Sequence, residues 1–341
     1  MLEELSTKVR SGEINPIDLV NESLRRIEVA KPLNAVIAVY AEEARAFAAT
    51  HPRTGALAGL PFLVKDMARV KGHTTTSGSM LYANGPTDVV DDSVVARLRE
   101  AGAIIIGRTN SPEFGATAYT TNNVYGATRN PWNTEKSPGG SSGGSAAALA
   151  AGLAPLATTS DGGGSVRGPA SATGLVGYKP SMGAIGRNVL PRWIDFSTQG
   201  TTGHSVADVA YEAAITHGPA IGDFLGLPTK SIALNSVMPH RVLACRTFRT
   251  DVDPDIEANY ESMIDALVAS GITVERVASP SDNDTIWNWF IMSTAQLTQS
   301  LRHEEHRWNE LSDYVQAQLK FGATVTIDQY IAAQRKRHEI S

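Results

Sequence analysis

Two glycine- and serine-rich loops, separated by an alanine-rich run, constrain this sequence more than any other feature. The first loop, residues 139–145, leads directly into the run at 146–151, and the second loop, residues 161–165, follows the apolar stretch 153–157. A flexible linker does not usually continue into such a strong helix former. Consecutive glycines before a serine instead let backbone N–H groups crowd around a developing oxyanion. The segment therefore predicts a reaction centre rather than a pair of linkers.

Three other interpretations of these loops are weakened by their local context. A phosphate-binding loop requires a lysine after its last glycine, and no lysine follows either glycine run. A dinucleotide fingerprint requires an acidic residue at a set distance, which the nearest approximations lack. Residues 139–143 do satisfy G-x-S-x-G, the nucleophile elbow that would make Ser141 the nucleophile. An elbow follows a buried strand, whereas residues 130–138 form a polar, proline-interrupted loop, so this alternative is disfavoured.

Several separated motifs resemble those of the amidase signature family, and they occur in the family's order. The two loops match GGSSGG and D-x-GGS-V-R-x-P, with Ser141 and Ser165 lying 24 positions apart as the family pattern requires. Further matches are PFLVKD at residues 61–66, GRTNSPEF at 107–114, NPW at 130–132 and GLVGYKP at 174–180. The resemblance is strong over residues 55–210 and weaker elsewhere.

The resemblance implies the fold and the extent of the domain. It implies a single α/β domain over residues 1–341, with a mixed, twisted central sheet covered by helices on both faces. The chain ends in a polar, helix-like stretch, residues 334–341, that has no glycine stop. Family chains typically continue further, so we expect this domain to lack its C-terminal portion.

The resemblance also assigns three catalytic residues. Ser165 would be the nucleophile, Lys65 the base, and Ser141, on a cis peptide in the family, would pass the proton between them. A free lysine has a pKa near ~10.4, so its pKa must fall by about 2 to 3 for it to act as a base near neutrality. Burial disfavours the ammonium form, and Lys65 ends the apolar run 60–64, which is consistent with burial.

The loop before the nucleophile is expected to bind the oxyanion. By the resemblance, the oxyanion hole consists of backbone N–H groups of Gly162, Gly163 and Gly164, with the N–H of Ser165 as a further candidate. Where the family usually has isoleucine this chain has Gly162, which predicts a roomier acyl site. Two further assignments concern the neighbourhood: Gly115 would contact the substrate, and Arg167 would brace the loop with Asp161 as its partner.

Composition limits the partners and the compartment. The net charge is −5 without a basic block, which disfavours nucleic acid, and the absence of an apolar run of about 18 residues disfavours a membrane span. One cysteine, Cys245, lies in an apolar stretch and is expected in the core, and no disulfide framework is available within the chain. These features predict a soluble protein in the reducing cytoplasm.

The reaction implied by the resemblance is hydrolysis of a small-molecule amide through an acyl-enzyme. Carbamates, including urethanes, and esters should also react, because the same acylation chemistry serves them. No metal or organic cofactor is needed, and a homodimer is compatible with the sequence. Two alternatives remain: the amidase subunit of a tRNA-dependent amidotransferase, and a catalytically impaired relative used for binding.

Other groups of residues carry weaker signals. The pair His303 and His306 is spaced by three rather than the four of a zinc-binding H-E-x-x-H, which favours a solvated helix face. An apolar cluster could be core or could line a substrate pocket; it consists of Trp287, Trp289, Phe290 and Met292. The histidines nearest to the motifs, His73 and His204, are interpreted as structural or pocket residues.

Periodicity and capping residues predict the main elements. Asn15-Pro16 predicts a helix start, and a second helix is expected from Asp91-Asp92 to Gly102. Strands are predicted at residues 34–40, 60–64 and 103–106, and the last third should contain a helix at 255–270 and a strand at 272–277.

Overall fold

Helices and strands are interspersed along the chain. The computed structural model describes residues 1–194, 196–228, 237–247, 252–279 and 283–340. Contacts divide the chain into two compact units, one formed by Met1–Leu234 with Leu301–Ala317 and the other by Asn235–Ser300 with Gln318–Ser341. None of the helices that the structure describes is both long enough and apolar enough to cross a bilayer.

The described residues contain eleven α-helices and nine strands. The helices are α1 (Leu2–Ser11), α2 (Pro16–Val29), α3 (Ala41–Ala49), α4 (Ser93–Glu100), α5 (Gly143–Ala150), α6 (Arg167–Thr173), α7 (Val206–Thr216), α8 (Pro254–Ala269), α9 (Asn283–Leu301), α10 (Asp313–Gly322) and α11 (Ile327–Ile340). The strands are β1 (Val36–Val39), β2 (Pro61–Lys65), β3 (Ile104–Thr109), β4 (Leu156–Ala157), β5 (Thr159–Asp161), β6 (Val176–Tyr178), β7 (Thr198–Gly203), β8 (Arg241–Ala244) and β9 (Thr273–Arg276). Three 3-10 helices lie at Lys31–Leu33, Glu113–Gly115 and Arg302–Glu310.

The first unit contains two linked sheets. One has the order β1-β3-β2-β4, with β2 parallel to both of its neighbours and β1 antiparallel to β3. The other has the order β5-β7-β6 and is antiparallel. Only Thr158 separates β4 from β5, so one continuous piece of chain joins the two sheets. The α/β prediction with a mixed sheet is therefore confirmed, although the strands divide among more than one hydrogen-bonded sheet.

Helices cover both faces of the four-stranded sheet. Because successive strand residues point to opposite faces, Leu63 packs into one core while Phe62 and Val64 pack into the other. The Leu63 core draws on α2, α3 and α5, and the opposite core draws on α1 and α4 with flanking residues of α7. Lys65 follows Leu63 by two positions, and its side chain therefore lies on the face covered by α5.

Helix α5 approaches the end of β3 very closely. A Cβ at Gly144 would lie 2.4 Å from both the backbone N and the backbone O of Asn110, so only glycine allows this approach. The contact holds the first turn of α5, and the serines that precede it, against the end of the parallel strands.

The predicted helix boundaries in the first unit are largely confirmed. Asn15 caps α2, its side chain accepting a hydrogen bond from Ile17 N–H at 3.4 Å, and Gly102 follows α4 with a φ of 94°. Asp92 lies at the start of α4, but its carboxylate accepts from Arg69 N–H at 3.0 Å instead of capping the helix. This carboxylate is buried, and burial raises its pKa to about 6.

The second unit contains β8 and β9, which pair in parallel, and α8, whose N-cap is Asp253. The predicted strand and helix here are confirmed to within two residues. Cys245 is only partly buried and its Sγ lies 3.1 Å from Thr247 O, so the expectation of a core cysteine was wrong. The strand before it is half-exposed, which its apolar sequence did not indicate. In the predicted aromatic cluster, Trp287 and Phe290 pack on each other with ring centroids 5.8 Å apart.

Candidate active site

A cavity of about 420 Å³ in the first unit collects most of the predicted site residues. Five of them line it: Lys65, Gly115, Ser141, Gly162 and Ser165. The remaining two, Gly163 and Gly164, belong to the same loop as Ser165 but do not border the cavity. Residues up to a hundred positions apart in sequence therefore line the same cavity.

Lys65 is buried at the end of β2 and surrounded by hydroxyl groups. Its Nζ lies 2.7 Å from Ser141 Oγ, 2.9 Å from Ser142 Oγ and 3.0 Å from Ser160 Oγ. Among the described residues, no carboxylate lies within 4.0 Å of this nitrogen. Burial lowers the pKa of Lys65 to about 7, against an opposing effect of the Asp161 charge. A substantial fraction of Lys65 is therefore neutral at pH 7, with a lone pair available to accept a proton.

Ser141 and Ser142 lie immediately before α5, and a cis peptide bond joins Gly140 to Ser141. Ser142 N–H donates to the backbone oxygen of Ser165 at 3.2 Å, which brings the two glycine-rich loops together. Ser142 Oγ also donates to the backbone oxygen of Ser160 at 3.2 Å. The bridging serine predicted from the sequence is thus next to both Lys65 and the loop that carries Ser165.

The sequence did not single out Ser142 and Ser160 as neighbours of Lys65. Ser142 stands beside Ser141 in the first loop, and Ser160 precedes Asp161 in β5. For Ser160, the only signal in the sequence was that it belongs to a short stretch of hydroxyl residues before Asp161. This stretch has no distinctive spacing that would indicate a contact with Lys65. Their role becomes visible only when β2, β5 and the start of α5 are placed together.

The loop carrying Ser165 is organised by the carboxylate of Asp161. This buried carboxylate accepts from Gly164 N–H at 2.7 Å, from Val166 N–H at 3.1 Å and from both nitrogens of an Arg167 fork at 2.9 and 3.0 Å. Burial opposes the charge, but hydrogen bonds from Arg167 and Gly164 hold the pKa of Asp161 below its ordinary value. The predicted pairing of Arg167 with Asp161 is confirmed.

Removing the Asp161 carboxylate should destabilise the chain. Asp161→Ala leaves the Gly164 and Val166 N–H groups without their acceptor, and we expect the free energy of unfolding to fall by about 3 kcal/mol. Arg167→Ala is the matched control: because this arginine side chain is 54% exposed, its loss should cost only about 1 kcal/mol. Urea unfolding followed by circular dichroism measures both. Equal losses in the two variants would contradict a loop held mainly by backbone donors.

Gly115 lies directly against the bridging serine. Its φ is +71°, and a Cβ placed there would lie 3.1 Å from Ser141 Oγ and 2.9 Å from Met67 Cε. Space for a substrate beside Ser141 therefore depends on glycine at this position. The assignment of Gly115 to substrate contact stays a prediction, and it lies in the right place for one.

The nearby histidines do not offer an alternative base at this cavity. The His73 ring stacks on Tyr40 with centroids 3.8 Å apart, and its Nε2 lies 3.1 Å from Glu43 Oε2. His204 is exposed. Neither is among the residues that line the cavity. In the described ranges, no group of three or more His, Cys, Asp or Glu side chains is close enough to hold a metal ion.

Comparison with known proteins identifies the family. The model of the Amidase family matches residues 18–341. The chain belongs to the amidase signature family. It is 37% identical over 311 residues to one subunit of the glutamyl-tRNA(Gln) amidotransferase of Synechococcus sp. (strain CC9605), covering 86% of this chain and 63% of that protein. It is 39% identical over 319 residues to the putative amidase AmiA2 of Mycobacterium tuberculosis (strain ATCC 25618 / H37Rv), covering 87% and 63%.

Solved structures of amidase signature enzymes share the fold. A 6-aminohexanoate cyclic dimer hydrolase complexed with substrate superimposes with a TM-score of 0.91 at 28% identity, covering 99% of this chain and 75% of that one. A bacterial aryl acylamidase of the same family superimposes with a TM-score of 0.87, also at 28% identity, covering 98% and 74%. The chain spans 63% of the length of the curated relatives described above.

The position where this chain departs from the family pattern is filled by a tryptophan. A Cβ at Gly162 would lie 2.7 Å from Trp193 Cε3 and 3.3 Å from Ser197 Oγ. The indole of Trp193 therefore occupies the space that a side chain at position 162 would take. The prediction of a roomier acyl site was wrong, because a residue 31 positions away fills the gap.

Proposed function

We propose that this chain hydrolyses carbon–nitrogen bonds of small-molecule amides through an acyl-enzyme on Ser165. The observation that carries the proposal is the buried Lys65, whose Nζ lies 2.7 Å from Ser141 Oγ in a cavity that Ser165 also lines. Membership of the amidase signature family supports the same reaction class.

In the acylation step, neutral Lys65 accepts the proton of Ser141 Oγ, and Ser141 accepts the proton of Ser165 Oγ. The freed oxygen of Ser165 attacks the carbonyl carbon, and the carbonyl electron pair moves onto oxygen. When the tetrahedral intermediate collapses, the C–N bond breaks and Ser141 returns a proton to the departing amine. Water then attacks the acyl-enzyme, its proton passes through the same relay, and the acid is released.

The tetrahedral oxyanion would be bound by backbone N–H groups of the loop before the nucleophile. Gly164 N–H already donates to Asp161, so its contribution would be to hold the loop's shape. Of the other predicted donors, Gly162 and Ser165 line the cavity, and their N–H groups are the ones proposed to bind the oxyanion. Carbamates and esters, which pass through the same kind of intermediate, are expected as further substrates.

A fluorophosphonate probe followed by peptide mass spectrometry tests the proposal. The probe phosphonylates an activated serine with loss of fluoride, and we expect the adduct on Ser165 in native protein but not in heat-denatured protein. An adduct on Ser141 would overturn the assignment of the nucleophile and revive the elbow interpretation. Absence of any adduct on the native chain would overturn the acyl-enzyme itself.

The activity should increase with pH through neutrality. Because the base is the neutral form of Lys65 and burial lowers its pKa to about 7, protonation below that pH removes the base. We expect kcat/KM for a neutral amide to rise about tenfold per pH unit below the midpoint and to level off above it. A pH profile of initial rates measures this. A profile that falls as the pH rises through 7 would contradict a lysine base.

A second function is favoured by one specific observation, the 37% identity to one subunit of a glutamyl-tRNA(Gln) amidotransferase. In that case the ammonia released at Ser165 would be passed to a partner protein that holds a charged tRNA. Glutamine hydrolysis that increases when partner subunits are added would support this alternative. Hydrolysis of small amides by the chain alone, unchanged by any partner, would favour the first proposal.

A further inference from the structure

Arg192 brings a positive charge to the wall of the candidate active site, and the residues that the structure describes offer it no ion-pair partner. Its guanidinium carbon lies 4.5 Å from the centroid of the Phe114 ring and 5.5 Å from that of the Tyr82 ring. Its Nη1 lies 3.5 Å from Ser77 Oγ, at the limit of a hydrogen bond. The Tyr82 hydroxyl is a further hydrogen-bond partner of this side chain. Two aromatic rings and two hydroxyl groups therefore hold the guanidinium, which has five N–H donors in all.

The two other arginines that line the cavity are already paired. Arg69 lies 3.8 Å from Asp88, and Arg187 lies 4.0 Å from Asp223. For Arg192, by contrast, no carboxylate comes within 4.0 Å anywhere in the described ranges. A largely desolvated cation that has no carboxylate partner among the described residues is unfavourable, and an anionic ligand would relieve this cost.

The buried carboxylate of Glu113 acts on the charge of Arg192, but its oxygens are committed to other partners. One of its oxygens accepts from Ser79 Oγ at 2.6 Å and the other from Ser312 N–H at 2.7 Å. These hydrogen bonds fix the position of the Glu113 carboxylate. Its charge moderates the field at Arg192 but does not form an ion pair with it.

Arg192 lines the same cavity as the reacting groups. The ring on which it stacks belongs to Phe114, whose neighbour Gly115 lies against Ser141 Oγ. On the other side, Trp193 contacts Gly162 in the loop that carries the nucleophile. The pair Arg192-Trp193 therefore contacts the residue next to Gly115 on one side and the loop that carries Ser165 on the other.

We propose that Arg192 binds a carboxylate of the substrate, so that the preferred substrates are small amides bearing a carboxylate away from the bond that is cut. This inference rests on the proposed amidase function for its catalytic meaning, but the binding itself can be measured separately. A bidentate guanidinium–carboxylate pair gives both orientation and charge neutralisation. It would fix the amide relative to Ser165 through an anchor on the wall of the same cavity.

Matched ligand pairs test the proposal in the non-hydrolysing Ser165→Ala variant. Each pair exchanges a methyl group for a carboxylate: hexanamide with adipamate, pentanamide with glutaramate, butanamide with succinamate, and N-propylacetamide with N-acetyl-β-alanine. Calorimetry gives the dissociation constants. We expect at least one carboxylate member to bind about 10- to 100-fold more tightly than its neutral partner, and this preference to be lost in Arg192→Gln.

Two further variants control for folding and for charge in general. Arg192→Lys keeps the charge without the fork, and it should retain part of the preference even if Arg192→Gln proves too unstable to measure. Arg69→Gln removes a cation that is already paired with Asp88 and should leave the preference intact. The proposal is overturned if no pair shows a preference, or if Arg69→Gln abolishes it while Arg192→Gln does not.

The outcomes separate this inference from the proposed function. Fluorophosphonate labelling of Ser165 together with equal binding of every pair would overturn the role of Arg192 alone. The opposite result is a binding preference that depends on Arg192 in a chain that the probe does not label. It would overturn the acyl-enzyme and support the anion site.

Discussion

Replacing Lys65 with methionine should lower kcat/KM for a neutral amide by about 10³- to 10⁴-fold. Methionine keeps the length and the apolar character of the side chain, but it has no lone pair that can accept the proton of Ser141. The serine pair then lacks a base, and only binding and the oxyanion donors remain to assist the reaction. Initial rates with a chromogenic anilide, measured near pH 8, give the ratio directly.

Two controls make this result specific to the proton relay. Lys65→Met should unfold at the same temperature as the parent or higher, because it removes an amine from a buried site. Ser142→Ala removes another hydroxyl that contacts Lys65, 2.9 Å from Nζ, but it leaves Ser141 in place and should lower the rate only about tenfold. A Lys65→Met variant within tenfold of the parent, or a larger loss in Ser142→Ala than in Lys65→Met, would contradict the proposed relay.

Introducing isoleucine at Gly162 should lower kcat/KM by about 10²- to 10³-fold. The new Cβ would lie 2.7 Å from the Trp193 ring, so either the indole or the loop carrying Ser165 must move. A displacement of about 1 Å at a reacting group, or the loss of one oxyanion donor, has an effect of this size. Rates should fall although the Lys65 environment and the overall fold are unchanged.

A compensating substitution separates this steric effect from other causes. In the double variant Gly162→Ile/Trp193→Ala the ring is gone, and we expect activity to recover by at least tenfold over Gly162→Ile. Gly168→Ala is the matched control, since a Cβ at this position meets nothing within 4 Å and the activity should stay near that of the parent. Failure of the double variant to recover any activity would show that Gly162 is needed for a reason other than the tryptophan.

The charge distribution around Lys65 balances two requirements. The Asp161 charge holds the nucleophile loop through its backbone donors, but it also favours the protonated form of Lys65. Arg167 pairs with the same carboxylate and reduces its effect at a distance. Burial remains the larger influence on Lys65 and keeps its pKa near 7. The Asp161 carboxylate can therefore hold the loop that carries Ser165 without keeping Lys65 fully protonated.

The sequence by itself was sufficient to predict those features that depend on residues close together in the chain. The glycine-rich loops and the spacing of Ser141 and Ser165 identified the family, and the pairing of Asp161 with Arg167 lies within a short stretch of chain. The start of α2 at Asn15-Pro16 and the positive φ of Gly102 were equally accessible. In each case a few consecutive residues restrict the backbone or supply both partners of a contact.

Only the tertiary structure decided which distant side chains complete the site. Ser142 and Ser160 reach Lys65 from positions 77 and 95 residues further along the chain. Trp193 fills the space beside Gly162, and the cation of Arg192 is placed on the Phe114 ring, although the loop that carries them has no periodicity to predict its path. Sequence patterns report backbone preferences and the burial of regular elements, whereas the route of an irregular loop is set by the surfaces on which it packs.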